Sequence, residues 1–416
     1  MREAIQTCCC IAGGGPAGMM LGFLLARRGI DVLVLEKHKD FLRDFRGDTI
    51  HPSTLELIYE LGILDEFLKR PHEQLTTISA QVGRQVVTVG DFTHLPTHCK
   101  FLALMPQWDF LNFIVEQARG YSSFHLIMEA EATDLMEENG AIVGLRAKTK
   151  QGEVDFRANL TVGADGRHSI VRQRAKMEVR DMGAPMDVMW MRLSRREGDP
   201  VQTFGHVEPG KMLVLINRES YWQAAFVIPK DAAAEVRQRG LPSFQREIAD
   251  MEPFLGDRVQ ELRDWNQVSL LTVKVDRLMK WSRPGLICIG DAAHAMSPIG
   301  GVGINLAIQD AVAAANILTP KLHVGALSPE DLQAVQKRRN FPTVATQWLQ
   351  LAIQNRVIRH VLGGTSPLTL PWQLKLLQWL PYLRRFPARL VGMGFRPEHV
   401  VACQAKRVSL EVRRAG

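Results

Sequence analysis

The chain has 416 residues, 46% hydrophobic and 23% charged, and carries a formal net charge of +7. That apolar content over that length supports two domains' worth of core, which excludes a disordered chain, and no uninterrupted apolar run reaches bilayer-spanning length. Six cysteines, at positions 8, 9, 10, 99, 288 and 403, show neither metal-ligand spacing nor a paired framework. A metal centre and a disulfide scaffold are therefore not expected, and a reducing, cytoplasmic setting is.

The first element is an apolar strand over residues 8–12, followed by Gly13-Gly-Gly-Pro-Ala-Gly18, a helix from Met19 to Arg28 ended by Gly29, and a second strand, Asp31 to Glu36. Gly13, Gly15 and Gly18 have the G-x-G-x-x-G spacing, and Glu36 closes the second strand where a ribose would be held. This fingerprint accounts for the apolar N-terminus better than a secretory signal does. Lys37, His38, Lys39 and Arg43 follow the acid, either as a contact for the extra phosphate of NADPH or as a solvated loop.

A third strand ends at Asp165-Gly166 and enters a helix through Ser169, a suitable N-cap. Residues 176–275 contain short β-rich runs at 188–193, 201–204, 212–216 and 222–228. They read as an antiparallel sheet backed by helices near 242–251 and 258. Next, Gly285 to Gly290 is a buried strand with Asp291 at its end. Pro298, Gly300, Gly301, Val302 and Gly303 then open a helix carrying Asn305 and Asp310, a helix start with N–H groups turned outward. From Asp331 onward, fourteen Lys or Arg stand against three acids, and three of the eight tryptophans, Trp348, Trp372 and Trp379, lie there. Residues 346–362 and 372–383 have helical apolar spacing with a basic face. They either pack on the core or contact a membrane surface or cover an apolar channel. No nucleic-acid module accompanies the basic residues.

Taken together, GGGPAG with Glu36, GADGRHS around Asp165 and GDAAHAMSPIGGVGIN around Asp291 resemble the group A FAD-dependent monooxygenases of the para-hydroxybenzoate hydroxylase type, over residues 1 to about 345. The resemblance implies an α/β fold: a Rossmann-like FAD domain of the glutathione reductase type, an inserted antiparallel β-sheet substrate domain and a helical C-terminal region. The expected divisions are 1–72, 101–175 and 276–345 for FAD, 73–100 and 176–275 for substrate, and 346–416 for the basic tail.

It implies FAD as cofactor and NADPH or NADH as transient reductant. One oxygen atom from O2 would pass, through a flavin C4a-hydroperoxide, into a hydrophobic and aromatic substrate. Gly13, Gly15, Pro16, Ala17, Gly18, Glu36 and Lys37 then fall to the ADP half. Asp165 supports the flavin, Asp291 the ribityl chain, and Pro298, Gly300 to Gly303 and Asn305 border the isoalloxazine. Arg46 matches an arginine beside the flavin. Gln107 stands where many members have another arginine, which leaves a neutral contact.

Substrate contacts are expected among His206, Tyr221, Gln223 and Pro298, with Trp190, Phe204 and Trp222 as apolar walls. Strand parity puts Tyr221 and Gln223 on one face and Trp222 on the other. Alternatives on the same fold are an isoprenoid reductase, an epoxidase and a flavin-binding scaffold without turnover.

Overall fold

The computed structural model describes residues 4–42, 49–83, 85–200, 202–325, 327–364 and 370–401. Arg46 and Arg43 lie outside the described residues.

Five parallel strands form the main sheet, in the order Leu286–Cys288, Gly152–Gly163, Ile5–Ala12, Val32–Glu36 and Phe124–Met128. Alternation along these strands divides the core. Cys9, Ile11, Val32, Val34, Leu160 and Val162 pack under the helices Pro16–Arg27, Gln107–Ala118 and Val302–Val324. Cys10, Ala12, Leu33, Leu35 and Phe156 face the other way. There they meet an antiparallel meander of Glu131–Glu138, Ala141–Thr149 and the near half of Gly152–Gly163, which the sequence reading did not separate out. Cys8, Cys9, Cys10, Cys99 and Cys288 are free thiols. Burial pushes Cys10 up to about 12 and Cys9 well above the ordinary thiol range.

A second, seven-stranded sheet takes Thr77–Val82 and Gln85–Asp91 together with Met186–Ser194, Phe204–Glu208, Lys211–Asn217, Tyr221–Pro229 and Ser269–Leu271. The strand expected over 201–204 instead begins at Phe204. Pro209-Gly210 makes the turn, so Phe204–Glu208 pairs with Lys211–Leu215 as a hairpin. One face of this sheet is filled by helix Leu241–Met251, whose Phe244 and Ile248 pack on Met189, Leu213, Trp222 and Phe226. The other face carries Met186, Val188, Trp190, Met212, Val214, Ala225 and Val227, with Ile299, Ile358 and Leu362 packed over it.

The C-terminal region is helical: Pro329–Ile353, a π-helical turn at Gln354–Ile358, Arg359–Gly363, Trp372–Trp379 and Arg385–Met393. The stretch Ile299–Val324 is long and apolar enough to cross a membrane by composition, but 72% of its most apolar window is buried inside the protein. It is the central core helix, contacting Pro16–Arg27 along its length.

Candidate active site

Three turns converge at the C-terminal ends of the parallel strands, where an open α/β sheet leaves a crevice. Gly13 has φ +106, and a Cβ there would lie 2.3 Å from the Ala164 carbonyl oxygen, so the first turn sits directly on the third. Gly290, with φ +59, presses against the methyls of Ala17 and Ala307, where an added Cβ would approach to 3.0 and 3.2 Å. Larger side chains at either position would force the turns apart.

The space these turns enclose suits a dinucleotide. Gly15 caps helix Pro16–Arg27 without any side-chain hydrogen bond, and a Cβ added to it would meet nothing within 4 Å. The first turn of that helix therefore faces an open cradle, which is what a pyrophosphate requires. Glu36 is buried, and its carboxylate is already oriented. Gly14 N donates to Oε2 and His38 N donates to Oε1, each at 3.0 Å. Lys37 is exposed beside it, and Gln107 is half-buried at the start of its helix.

Asp165 uses Oδ2 to accept from Val171 N at 3.1 Å, while its Oδ1 is buried with no partner among the described residues. Burial pushes its carboxyl up. That unpaired oxygen beside Gly13 is a second feature that fits a bound cofactor. Asp291, 35% exposed at the side chain, stands at the next strand end with the Arg167 guanidinium 3.9 Å away.

Pro298 and Ile299 lead through Gly300 and Gly301 into helix Val302–Val324, which again starts without a side-chain cap. Asn305 was expected to border the flavin, but its side chain is fully engaged within the protein. Oδ1 accepts from His51 N and Thr54 Oγ1, both at 2.8 Å, and Nδ2 donates to Thr49 O and Gly301 O. It ties the glycine loop to the start of helix Pro52–Glu60.

Buried ionic contacts brace the same region. Arg172 forks onto Asp276, and Asp310 accepts from His294 Nε2 at 2.5 Å, Arg339 Nε at 2.9 Å and Gly290 N at 3.1 Å. Burial alone would raise the Asp310 carboxyl, but His294 and Arg339 outweigh it and hold it below the usual range. Sequence reasoning missed these pairs. The available signal was Asp310, the single acid in helix Val302–Val324.

The substrate candidates separate. Gln223 is buried on the sheet face that meets Ile299, and its Oε1 accepts from Arg218 Nε at 3.0 Å. Tyr221 shares that face but lies at the far end of the strand from Val227. It sits under the Arg192 guanidinium, 3.8 Å from the ring centroid, and lines a polar surface pocket of about 410 Å³.

His206, expected to contact substrate, belongs to the opposite face from Gln223, where its Nδ1 donates to Glu252 at 2.8 Å. Phe204 and Trp222 also pack there, against Phe254. Trp190 alone of the expected walls faces Ile299's side.

A family model described as FAD binding domain matches residues 6–348. The chain is 31% identical over 395 residues to the 6-methylpretetramide 4-monooxygenase of Streptomyces rimosus, covering 93% of each chain. Two solved structures share the fold. PqsL, a probable FAD-dependent monooxygenase from Pseudomonas aeruginosa, superposes with TM-score 0.73 at 21% identity, over 86% of this chain and 97% of that one. The OxyS anhydrotetracycline hydroxylase from Streptomyces rimosus gives 0.72 at 21% identity, over 93% and 76%.

Proposed function

The chain belongs to the FAD binding domain family and is an FAD-dependent, NAD(P)H-consuming monooxygenase, and from that premise we propose that it hydroxylates a fused-ring phenolic substrate of the aromatic polyketide class. The observation that carries this reading is the apolar sheet face formed by Val188, Trp190, Met212, Val214, Ala225 and Val227 and covered by Ile299, Ile358 and Leu362. It is apolar, and Ile299 in its cover belongs to the loop that leads into Gly300–Gly303. A relative that matches 93% of this chain is named 6-methylpretetramide 4-monooxygenase.

Bound FAD supplies the redox chemistry and the activation of dioxygen. The chain supplies position, dryness and charge. Gly15 and the start of helix Pro16–Arg27 would hold the pyrophosphate, Glu36 a ribose, and Asp291 the ribityl chain. The N-terminus of helix Val302–Val324 would favour negative charge on the flavin ring. Trp190 and the Val and Met side chains would exclude water from the reacting ring, and Gln223 would orient a ring hydroxyl or carbonyl. The test is turnover of 1-naphthol and a panel of larger fused-ring phenols with NADPH or NADH under 18O2. A product gaining one labelled oxygen supports the reading; reductant consumption with no labelled product from any member of the panel overturns it.

The same proposal includes a contact between the C-terminal region and an anionic lipid surface. Residues 332–397 contain ten Lys or Arg and no acid. Trp372 and Trp379 are 70% and 85% exposed, with Tyr382 and Phe386 exposed alongside. Exposed aromatics among cations suit a lipid interface, whereas a second copy of the chain would bring the same positive charge. Sedimentation with phosphatidylglycerol vesicles, reduced by salt and by Trp372→Ala/Trp379→Ala, is the expected result. Equal binding to neutral phosphatidylcholine vesicles, or none to either, rejects it.

A further inference from the structure

Helix Pro329–Ile353 and the π-helical turn that extends it carry Gln347, Gln350 and Gln354. At about 100° per residue these three fall on one face. All are buried, and each reaches the stretch Ala295–Ile299, Gln347 and Gln350 at its backbone and Gln354 at the Ser297 side chain. Gln347 Nε2 donates to Asp276 O at 2.8 Å and Ala295 O at 3.2 Å. Gln350 accepts from Ser297 N at 3.2 Å and donates to Ser297 O at 3.0 Å and Ile299 O at 2.9 Å. Gln354 Nε2 donates to Ser297 Oγ at 2.7 Å, and that hydroxyl also accepts from Ile299 N at 3.3 Å.

Apolar packing alone would dock this helix, but it would not fix the loop in direction. Hydrogen bonds to successive backbone groups do, because they depend on angle as well as distance. The stretch they fix, Ser297–Ile299, runs directly into Gly300–Gly303. One turn beyond Gln354, Ile358 packs with Val188, Ala225 and Val227 on the apolar sheet face. The same side of the helix thus passes from the loop to the apolar sheet face. Gln354 Oε1 is buried with no partner among the described residues, so its hydrogen bonding is open to completion by a bound molecule. A π-helical turn at this junction is the kind of helix irregularity that recurs at functional sites.

We infer that Gln350 and Gln354 are positioning residues for the hydroxylation: Gln350 sets the backbone at Ser297–Ile299, and Gln354 transmits substrate contact at the apolar sheet face to that loop through Ser297 Oγ. The second half rests on the reading of the apolar face as the substrate site; the first does not. The test uses the holoenzyme with Gln350→Leu and Gln354→Met, and 1-naphthol as probe. Gln350→Leu is expected to weaken FAD binding about tenfold, read by flavin fluorescence with no substrate present.

Gln354→Met is expected to bind FAD within threefold of the parent, lose at least half of the probe-induced change in the flavin absorption band, and lower kcat about tenfold with KM within threefold. Parent-like FAD affinity in Gln350→Leu, or a parent-like band change and kcat in Gln354→Met, overturns the inference. If the parent itself shows no response to the probe, the substrate reading fails, and FAD affinity and the resting flavin spectrum of Gln350→Leu alone decide the positioning role.

Discussion

Arg172 and Asp276 meet in the interior, Nη2 to Oδ2 at 3.2 Å, and join helix Ile170–Arg174, which follows the Asp165 turn, to the short strand Asp276–Leu278. Each is essentially shielded from water, so neither charge tolerates loss of the other. Arg172→Met should cost about 3 kcal/mol, the low end for a broken buried pair, because Lys274 Nζ also lies 3.3 Å from Asp276. Arg172→Met/Asp276→Leu should recover much of that loss. Urea unfolding of the apoprotein checks both, and a double variant no more stable than the single would count against the pairing.

The two glycines of the first turn should fail in different ways. Gly13→Ala places a methyl against the Ala164 carbonyl at positive φ and should destabilise the apoprotein by about 2 kcal/mol or more. A methyl at Gly15 meets no protein atom within 4 Å. Gly15→Ala should therefore leave the apoprotein Tm within a degree or two while weakening FAD binding at least tenfold. Thermal melts with and without FAD separate the cases.

Acid should destabilise the fold through His51. Burial lowers it from 6.5 to about 4, outweighing the hydrogen bond from Nδ1 to Val391 O at 2.7 Å. The unfolded chain takes up this proton first, so stability is lost as pH falls from about 6.5 towards 4, by up to about 3 kcal/mol. Above pH 7 the residue is neutral in both states and contributes no slope. His51→Gln should flatten this part of the profile of Tm against pH.

Gln223 and His206 lie on opposite faces of one sheet, which gives a functional contrast. Gln223→Leu should raise KM for a phenolic substrate about tenfold. His206→Gln should leave kcat and KM within twofold and lower Tm through its buried contact with Glu252. Reversed effects would mean that the flavin-side face has been misassigned.

Much of the nucleotide-binding half was legible because its constraints are local. A glycine that must pass under Ala164, or an acid ending a strand, leaves its mark within a few residues. The substrate face was only half legible: parity placed Tyr221 and Gln223 opposite Trp222, yet the choice of face depends on helix Leu241–Met251 filling the other. His206 looked available as a base because nothing near it in sequence announces Glu252, 46 residues away. The glutamine row reads as three ordinary polar residues until the loop from Ala295 to Ile299 is laid beside it.

The cysteine run at positions 8–10 bears on how the molecule survives its own chemistry. With FAD bound, reduction of oxygen in the absence of substrate would release hydrogen peroxide into the site. Peroxide attacks thiolates, not thiols. Cys9, Cys10 and Cys288 are fully buried and held protonated far above neutral pH, in the strands that flank the cofactor crevice. Misfired turnover should thus spare the sheet, and intact-mass spectra after prolonged reductant exposure should show sulfoxide on exposed methionines such as Met279 before any oxidation of these thiols.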